Sequence, residues 1–303
     1  MEKIIEISHL KKYFKDVKAV NDISFSVDKG QLFSFLGLNG AGKSTTINIL
    51  VGILEKDSGE VVINGKDPKD FGALSKIGIV FQNSVLDKKL SVYDNIKFRA
   101  DLYNLESDEF KKNLDFLCEK LELRDLLKKP LEKLSGGQKR KVDIARALIH
   151  NPSVLILDEP TTGLDPKTRS LVWSLVTYLR REKNLTVLLT THYMEEAVDS
   201  DYVVIMDSGK IVARGTPNYL KNKYASEYVK LYSYSSDLIK ILDESDLIYT
   251  KTRENLVVRF DTTKLALDFL TKNADKIDDF EVLKGSMDDV FLTVTGKQLK
   301  ENV

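Results

Sequence analysis

The chain has one cysteine, Cys118, in 303 residues. No internal disulfide can form, which sets aside the small stapled scaffolds and suits a reducing compartment. An excess of either charge is also missing. Forty-six Lys and Arg face 46 Asp and Glu, so bulk attraction to nucleic acid is not expected and no nucleic-acid partner is assigned. No apolar run approaches the ~20 residues of a membrane-spanning helix. Met1-Glu2-Lys3 leads straight into a strand-like run, without the pattern of a secretory signal. If the protein serves a membrane process, the membrane part is expected on another chain. The length allows one large domain and a small one.

Against these absences one stretch stands out. Gly37-Leu38-Asn39-Gly40-Ala41-Gly42-Lys43-Ser44-Thr45 fits G-x-x-x-x-G-K-[ST]. Glycines let a backbone wrap closely round a polyphosphate and point its N–H groups inward. Lys43 supplies a cation for the terminal phosphates, and the Ser44 hydroxyl is a Mg²⁺ ligand candidate. The run Leu32–Leu36 reads as a buried strand and 45–51 as a helix, whose N-terminus would face the anion.

Other polar residues gather at the ends of apolar runs. Gln82 closes a short strand, where it could touch Mg²⁺ or an attacking water. Ser153–Leu157 is a continuous apolar run, as in a central parallel strand, and ends in Asp158-Glu159-Pro160. Adjacent carboxylates there are costly unless they work. Asp158 is placed to hold Mg²⁺ through water, and Glu159 to polarise a water for attack on phosphorus. A further strand, 185–190, ends in Thr191-His192-Tyr193. Asp165 and Pro166 make an N-cap and first-turn pair.

Residues 91–128 read as helical, and Cys118 falls on an apolar stripe with Phe110, Leu114, Leu117 and Leu121. Leu134-Ser135-Gly136-Gly137-Gln138 opens the next helix. Ser135 can cap it, and the glycine pair bares backbone N–H groups, a second anion site. Capping explains Ser135 and one glycine but not the pair followed by Gln138. Lys139, Arg140 and Lys141 read as a solvated face. Tyr13 lies on an expected loop, either as edge packing or as an adenine-stacking platform.

Together these motifs resemble the nucleotide-binding subunits of ATP-binding cassette (ABC) transporters. The likeness covers about residues 1–225: phosphate loop, Gln82, LSGGQ at 134–138, the ILDEP strand end, Gly163-Leu164-Asp165 and His192, all in the family's order. It implies an α/β P-loop NTPase cassette with a mixed or parallel core sheet, an N-terminal antiparallel part and a helical subdomain at about 88–150. It implies ATP and Mg²⁺ as ligands and a head-to-tail dimer, with a second identical cassette expected. Each ATP would lie between one copy's loop and the other's Ser135, Gly136 and Gly137, with Asp165 reaching across. Gln82 would sense Mg²⁺, and His192 would contact the γ-phosphate. The helical segment would face a membrane permease, which places the protein peripherally on the cytoplasmic face of the membrane. Tyr13 falls where the family has its adenine-stacking aromatic, while Phe14 stands where many members have glycine. The runs 191–197 and 287–296 are similar to the drug-resistance-type exporter branch, so export is the expected direction. The alternatives are an importer ATPase, a soluble ABC protein acting on ribosomes or DNA, and a non-hydrolysing switch. A lone cassette and only some 90 residues between Lys43 and Ser135 disfavour the soluble classes.

From about 226 the pattern changes to β-α-β-β-α-β, the order of a small ferredoxin-like unit. A last helix is expected from about Ser286. No catalytic constellation appears, and 226–303 reads as an accessory domain.

Overall fold

The computed structural model describes residues 2–296; Met1, with which the chain's opening was read, and 297–303 of the expected accessory domain lie outside the described residues. The chain divides into two compact units, Met1–Val212 and Ala213–Val303.

In the first unit β1 (Lys3–Phe14) pairs antiparallel with β2 (Val17–Asp28) and with β4 (Ser58–Ile63). Alternate residues such as Ile5, Ile7, Ile23, Phe25 and Val27 are buried, as expected of half-buried strands. The second sheet is the one that positions chemistry. It runs β5-β6-β7-β3-β8-β9, with β3 Leu32–Leu36, β5 Ile77–Val80, β6 Val154–Asp158, β7 Thr186–Thr191, β8 Tyr202–Asp207 and β9 Lys210–Gly215. The pairs from β5 through β8 are parallel. Strands β3, β5, β6 and β7 are buried at every residue, which accounts for their unbroken apolar runs. A two-residue turn, Ser208–Gly209, with φ of 50° and 78°, leads into β9.

The helices of this unit are α1 (Lys43–Leu50), the single turn α2 (Phe71–Leu74), α3 (Val92–Leu102), α4 (Ser107–Leu121), α5 (Gly136–Leu148), α6 (Pro166–Lys183) and α7 (Met194–Val198). Ser91 caps α3 by accepting from the Asp94 N–H. Helices α3 to α6 share one apolar core with β6 and β7, and Cys118 lies inside it. Among the described residues no helix is long and apolar enough to cross a membrane.

In the second unit α8 (Pro217–Tyr224) packs against the last helix, α11 (Met287–Thr295). Between them lie β10 (Glu227–Tyr234), α9 (Ser236–Asp243), β11 (Tyr249–Lys251), β12 (Leu256–Phe260), α10 (Thr263–Lys272) and β13 (Ile277–Leu283). The sheet order β11-β12-β10-β13, antiparallel throughout, is the ferredoxin-like arrangement. Ser286 caps α11 with a full capping box to Asp289.

Candidate functional site

The phosphate loop joins β3 to α1. Gly42 has φ 106°, and a Cβ there would lie 2.2 Å from the Ala19 carbonyl oxygen, so only glycine serves. Lys43 is 4% exposed and donates to the Gly37 and Leu38 carbonyls at 2.6 and 3.1 Å. Burial pushes its pKa down, opposed by the charges of Glu159 and Asp158. The loop borders a cavity of about 810 Å³ whose wall includes Asn39, Gly40, Lys43, Ser44 and Thr45, with Gln82 and Glu159 opposite.

The sheet brings the other polar residues here because parallel strands end together. The Ser44 hydroxyl donates to Asp158 Oδ1 at 3.3 Å, and the Thr190 hydroxyl donates to the same oxygen. Gln82 Nε2 donates to Glu159 Oε2 at 3.0 Å. His192 Nδ1 stands 3.2 Å from Glu159 Oε1, without hydrogen-bond alignment. Asp158 and Glu159 are 5% and 7% exposed. Glu159 also takes φ 47°, a left-handed backbone that costs an L-residue about 1–2 kcal/mol. Strain of this kind persists only where surroundings over-determine it.

One residue read as solvated supplies that determination. Arg140 is 9% exposed. Its guanidinium donates to the carbonyls of Phe81 (2.5 Å), Asp158 (3.0 Å), Glu159 (2.8 Å) and Pro160 (2.7 Å). It therefore ties the end of the Gln82 strand to the end of the carboxylate strand. Lys141 is buried too, at 8% exposed, so only Lys139 of the three keeps part of its solvent face. Helix α5 is buried at every residue from Arg140 to Leu148, Asp143 and Arg146 included, which leaves these cations no wet face.

Two more expectations change. Tyr13 belongs to β1, not to a loop, and Phe14 rather than Tyr13 walls the cavity. Successive strand side chains face opposite ways, so the pair divides its duties. The Tyr13 hydroxyl donates to Asn21 Oδ1 at 3.1 Å. Gln138 belongs to the helix cap, contrary to the expectation that capping leaves it unexplained. Its Oε1 accepts from the Ser135 N–H at 3.0 Å, while Ser135 Oγ accepts from the Gln138 N–H at 3.3 Å. None of Ser135, Gly136, Gly137 and Gln138 is among the described residues that wall the loop cavity. Asp165 caps α6 by accepting from the Thr168 N–H at 2.9 Å, and bonds from Thr168 hold its carboxyl below the usual range. A Cβ on Gly137 would sit 3.5 Å from Asp165 Oδ2, so the two motifs are neighbours.

The donor set suits magnesium. A hydroxyl and a carboxylate are hard oxygen donors, and the Ser44 hydroxyl lies 3.3 Å from Asp158 Oδ1, so one ion could draw on Ser44 directly and on Asp158 through water. Among the described residues no cluster of three or more His, Cys, Asp or Glu forms a metal cage.

Residues 20–162 match the family model for ABC transporters. The chain is 37% identical over 229 residues to the linearmycin resistance ATP-binding protein LnrL of Bacillus subtilis, covering 75% of this chain and 73% of that one. It belongs to the ATP-binding subunits of ABC transporters. A Nod factor export ATP-binding protein I of Ralstonia nicotianae is 31% identical over 315 residues, covering 98% of this chain and 95% of that one. ABC transporter G family member 23 of Dictyostelium discoideum is 31% identical across 99% of this ABC subunit, which spans only 43% of that protein's length. A bacterial ABC transporter cassette solved as a dimer superposes with a TM-score of 0.65 at 27% identity, over 70% of this chain and 98% of its own.

Proposed function

We propose that this ABC subunit hydrolyses ATP with Mg²⁺ and powers export through a separate integral-membrane permease, as a peripheral protein on the cytoplasmic face. One observation carries the reading: Lys43 and Ser44 of a phosphate loop meet Gln82, Asp158, Glu159 and His192 at one edge of the sheet. The names of its relatives, a Nod factor exporter and a linearmycin resistance protein, favour export over import.

The loop N–H groups and Lys43 bind the β- and γ-phosphates of ATP. Ser44 and Asp158 would hold Mg²⁺, with Gln82 beside them; the ion when bound neutralises phosphate charge. Glu159 orients a water in line with the γ-phosphorus and draws off its proton. The new water-oxygen–phosphorus bond forms as the bridge to the β-phosphate breaks, giving ADP and phosphate. His192, beside Glu159, meets the γ-phosphate. Phe14 offers the ring for the base, with Tyr13 bracing the strand behind it. A second cassette supplies Ser135, Gly136 and Gly137 from across the interface, beside Asp165; Gln138 holds that helix start in shape. The absence of 135–138 from the cavity wall among the described residues supports this division of labour, as does a relative solved as a dimer.

Phosphate release by purified protein with ATP and Mg²⁺ tests the reading. Glu159→Gln is expected to lower turnover roughly 10²- to 10⁴-fold while ATP still binds and holds a dimer on a sizing column. A variant that keeps its turnover removes Glu159 from the mechanism.

A further inference from the structure

At the other end of the same strands lies a cavity that nucleotide chemistry does not use. It occupies about 280 Å³ between α4, the last turns of α5 and α6, and the residues leading into β6 and β7. Strand β6 is five residues long, so the cavity stands roughly 17 Å from Asp158. Its body is apolar, with Leu117, Leu148, Leu179 and Leu185 each 5% exposed or less. Its polar lining comes from Asn113, Asn151, Ser153 and Lys183. Lys183 donates to Asn151 Oδ1 at 2.9 Å and holds its ammonium 5.4 Å from the Phe116 ring, spanning from α6 to α4. Asn113, 8% exposed, donates to the Ile149 carbonyl at 2.9 Å and fixes α4 to the end of α5.

The charge is one-sided. Among the described residues no carboxylate lines the cavity, and none forms an ion pair with Lys183. An ammonium has three donors, and only one is taken by Asn151. An apolar chamber with a few convergent polar groups is the usual form of a small-molecule site. A sealed apolar cavity of about 150 Å³ already holds benzene, so this one takes an apolar body of roughly eight to ten heavy atoms.

We infer that this cavity is a second ligand site, for a small amphipathic monocarboxylate whose chain fills the leucine-lined chamber and whose carboxylate meets Lys183. An occupant there braces α4 against α6. The site is independent of ATP hydrolysis and stands or falls by itself.

Calorimetric titration of the full chain with octanoate tests it. Saturable one-to-one binding is expected, with octan-1-ol weaker and octylamine not bound. Lys183→Met is expected to weaken octanoate roughly two- to fivefold, the worth of an ion pair at an exposed ammonium, and to leave octan-1-ol unchanged. Leu148→Phe fills the chamber and is expected to abolish both; its melting curve without ligand is recorded first. Should that variant fail to fold, the surface substitution Lys183→Met decides alone. Octanoate heats that never saturate, or octanoate affinity untouched by Lys183→Met, overturn the inference.

Discussion

The two units bury different things. The first puts Lys43, Arg140, Asp143, Arg146, Asp158 and Glu159 below a tenth exposed. In the second, among the described residues, the buried polar side chains are Ser226 and Asn273, around a core of Val229, Leu231, Leu256, Val258 and Phe260. Burying a charge costs several kcal/mol unless bonding or chemistry offsets it. The contrast therefore separates a unit shaped by a reaction from one shaped by packing.

Removing the cation that ties two strand ends together should test the contrast hardest. Arg140→Met leaves the carbonyls of Phe81, Asp158, Glu159 and Pro160 without their donor. The expected loss is about 3–5 kcal/mol by urea unfolding. In whatever fraction folds, kcat should fall more than the affinity for ATP, because Glu159 and Gln82 lose their frame while the phosphate loop is intact. Arg140→Lys should recover only part, since a point charge cannot reach four carbonyls at once. Unchanged stability and turnover would mean the buried charges are incidental.

The matching cut in the second unit is Leu231→Ala, at a fully buried site facing α9 and α10. It should cost roughly 3–4 kcal/mol of that unit's stability, seen by hydrogen exchange, with phosphate release unaltered. A parallel loss of hydrolysis would break the division.

His150 offers a pH-dependent version within the first unit. Its ring stacks on Tyr103 at 3.9 Å, and Nε2 lies 3.2 Å from the Ile77 carbonyl. Burial, then the charges of Arg99, Arg146 and Lys76 against that carbonyl, lower its pKa from 6.5 to about 4. Between those values the unfolded chain binds the proton and the folded chain does not. Stability is thus complete above pH 6.5 and falls as the pH drops toward 4, by about 3 kcal/mol in all. His150→Phe should flatten that window in melting curves taken across it. An equal slope in both proteins would assign the acid sensitivity elsewhere.

Legibility followed the same divide between local and assembled features. Runs such as Leu32–Leu36 and Ser153–Leu157 announce buried parallel strands because both of their faces are covered. The phosphate loop, the strand-end carboxylates and the caps at Ser135, Asp165 and Ser286 are short-range chemistry, so their residue types show at fixed spacing. The β-α-β-β-α-β order of the second unit was readable for the same reason. Arg140 was not, because four carbonyls from two distant chain segments recruit it, and a Lys-Arg-Lys run looks wet until helix packing is known. Gln138, which the sequence alone leaves outside the cap, closes a capping box with Ser135. The division at 212 and 213 rests on α8 packing against α11, a contact about 70 residues apart that no local pattern announces.

The smallest expected effect concerns which of two neighbouring rings serves the nucleotide. Phe14 is 46% exposed and stands on the cavity wall; Tyr13 is 36% exposed and spends its hydroxyl on Asn21. Stacking a base on an aromatic ring is worth about 1–3 kcal/mol, so Phe14→Ala should weaken nucleotide binding roughly tenfold. Tyr13→Phe removes only the bond to Asn21 on a half-exposed strand end and should leave affinity within about twofold. Titration of both variants with a fluorescent ATP analogue reads the difference directly. Equal, undiminished affinity after Phe14→Ala would show that the wall residue is a bystander. The base would then have to be held from the strand's other face, by the ring at Tyr13.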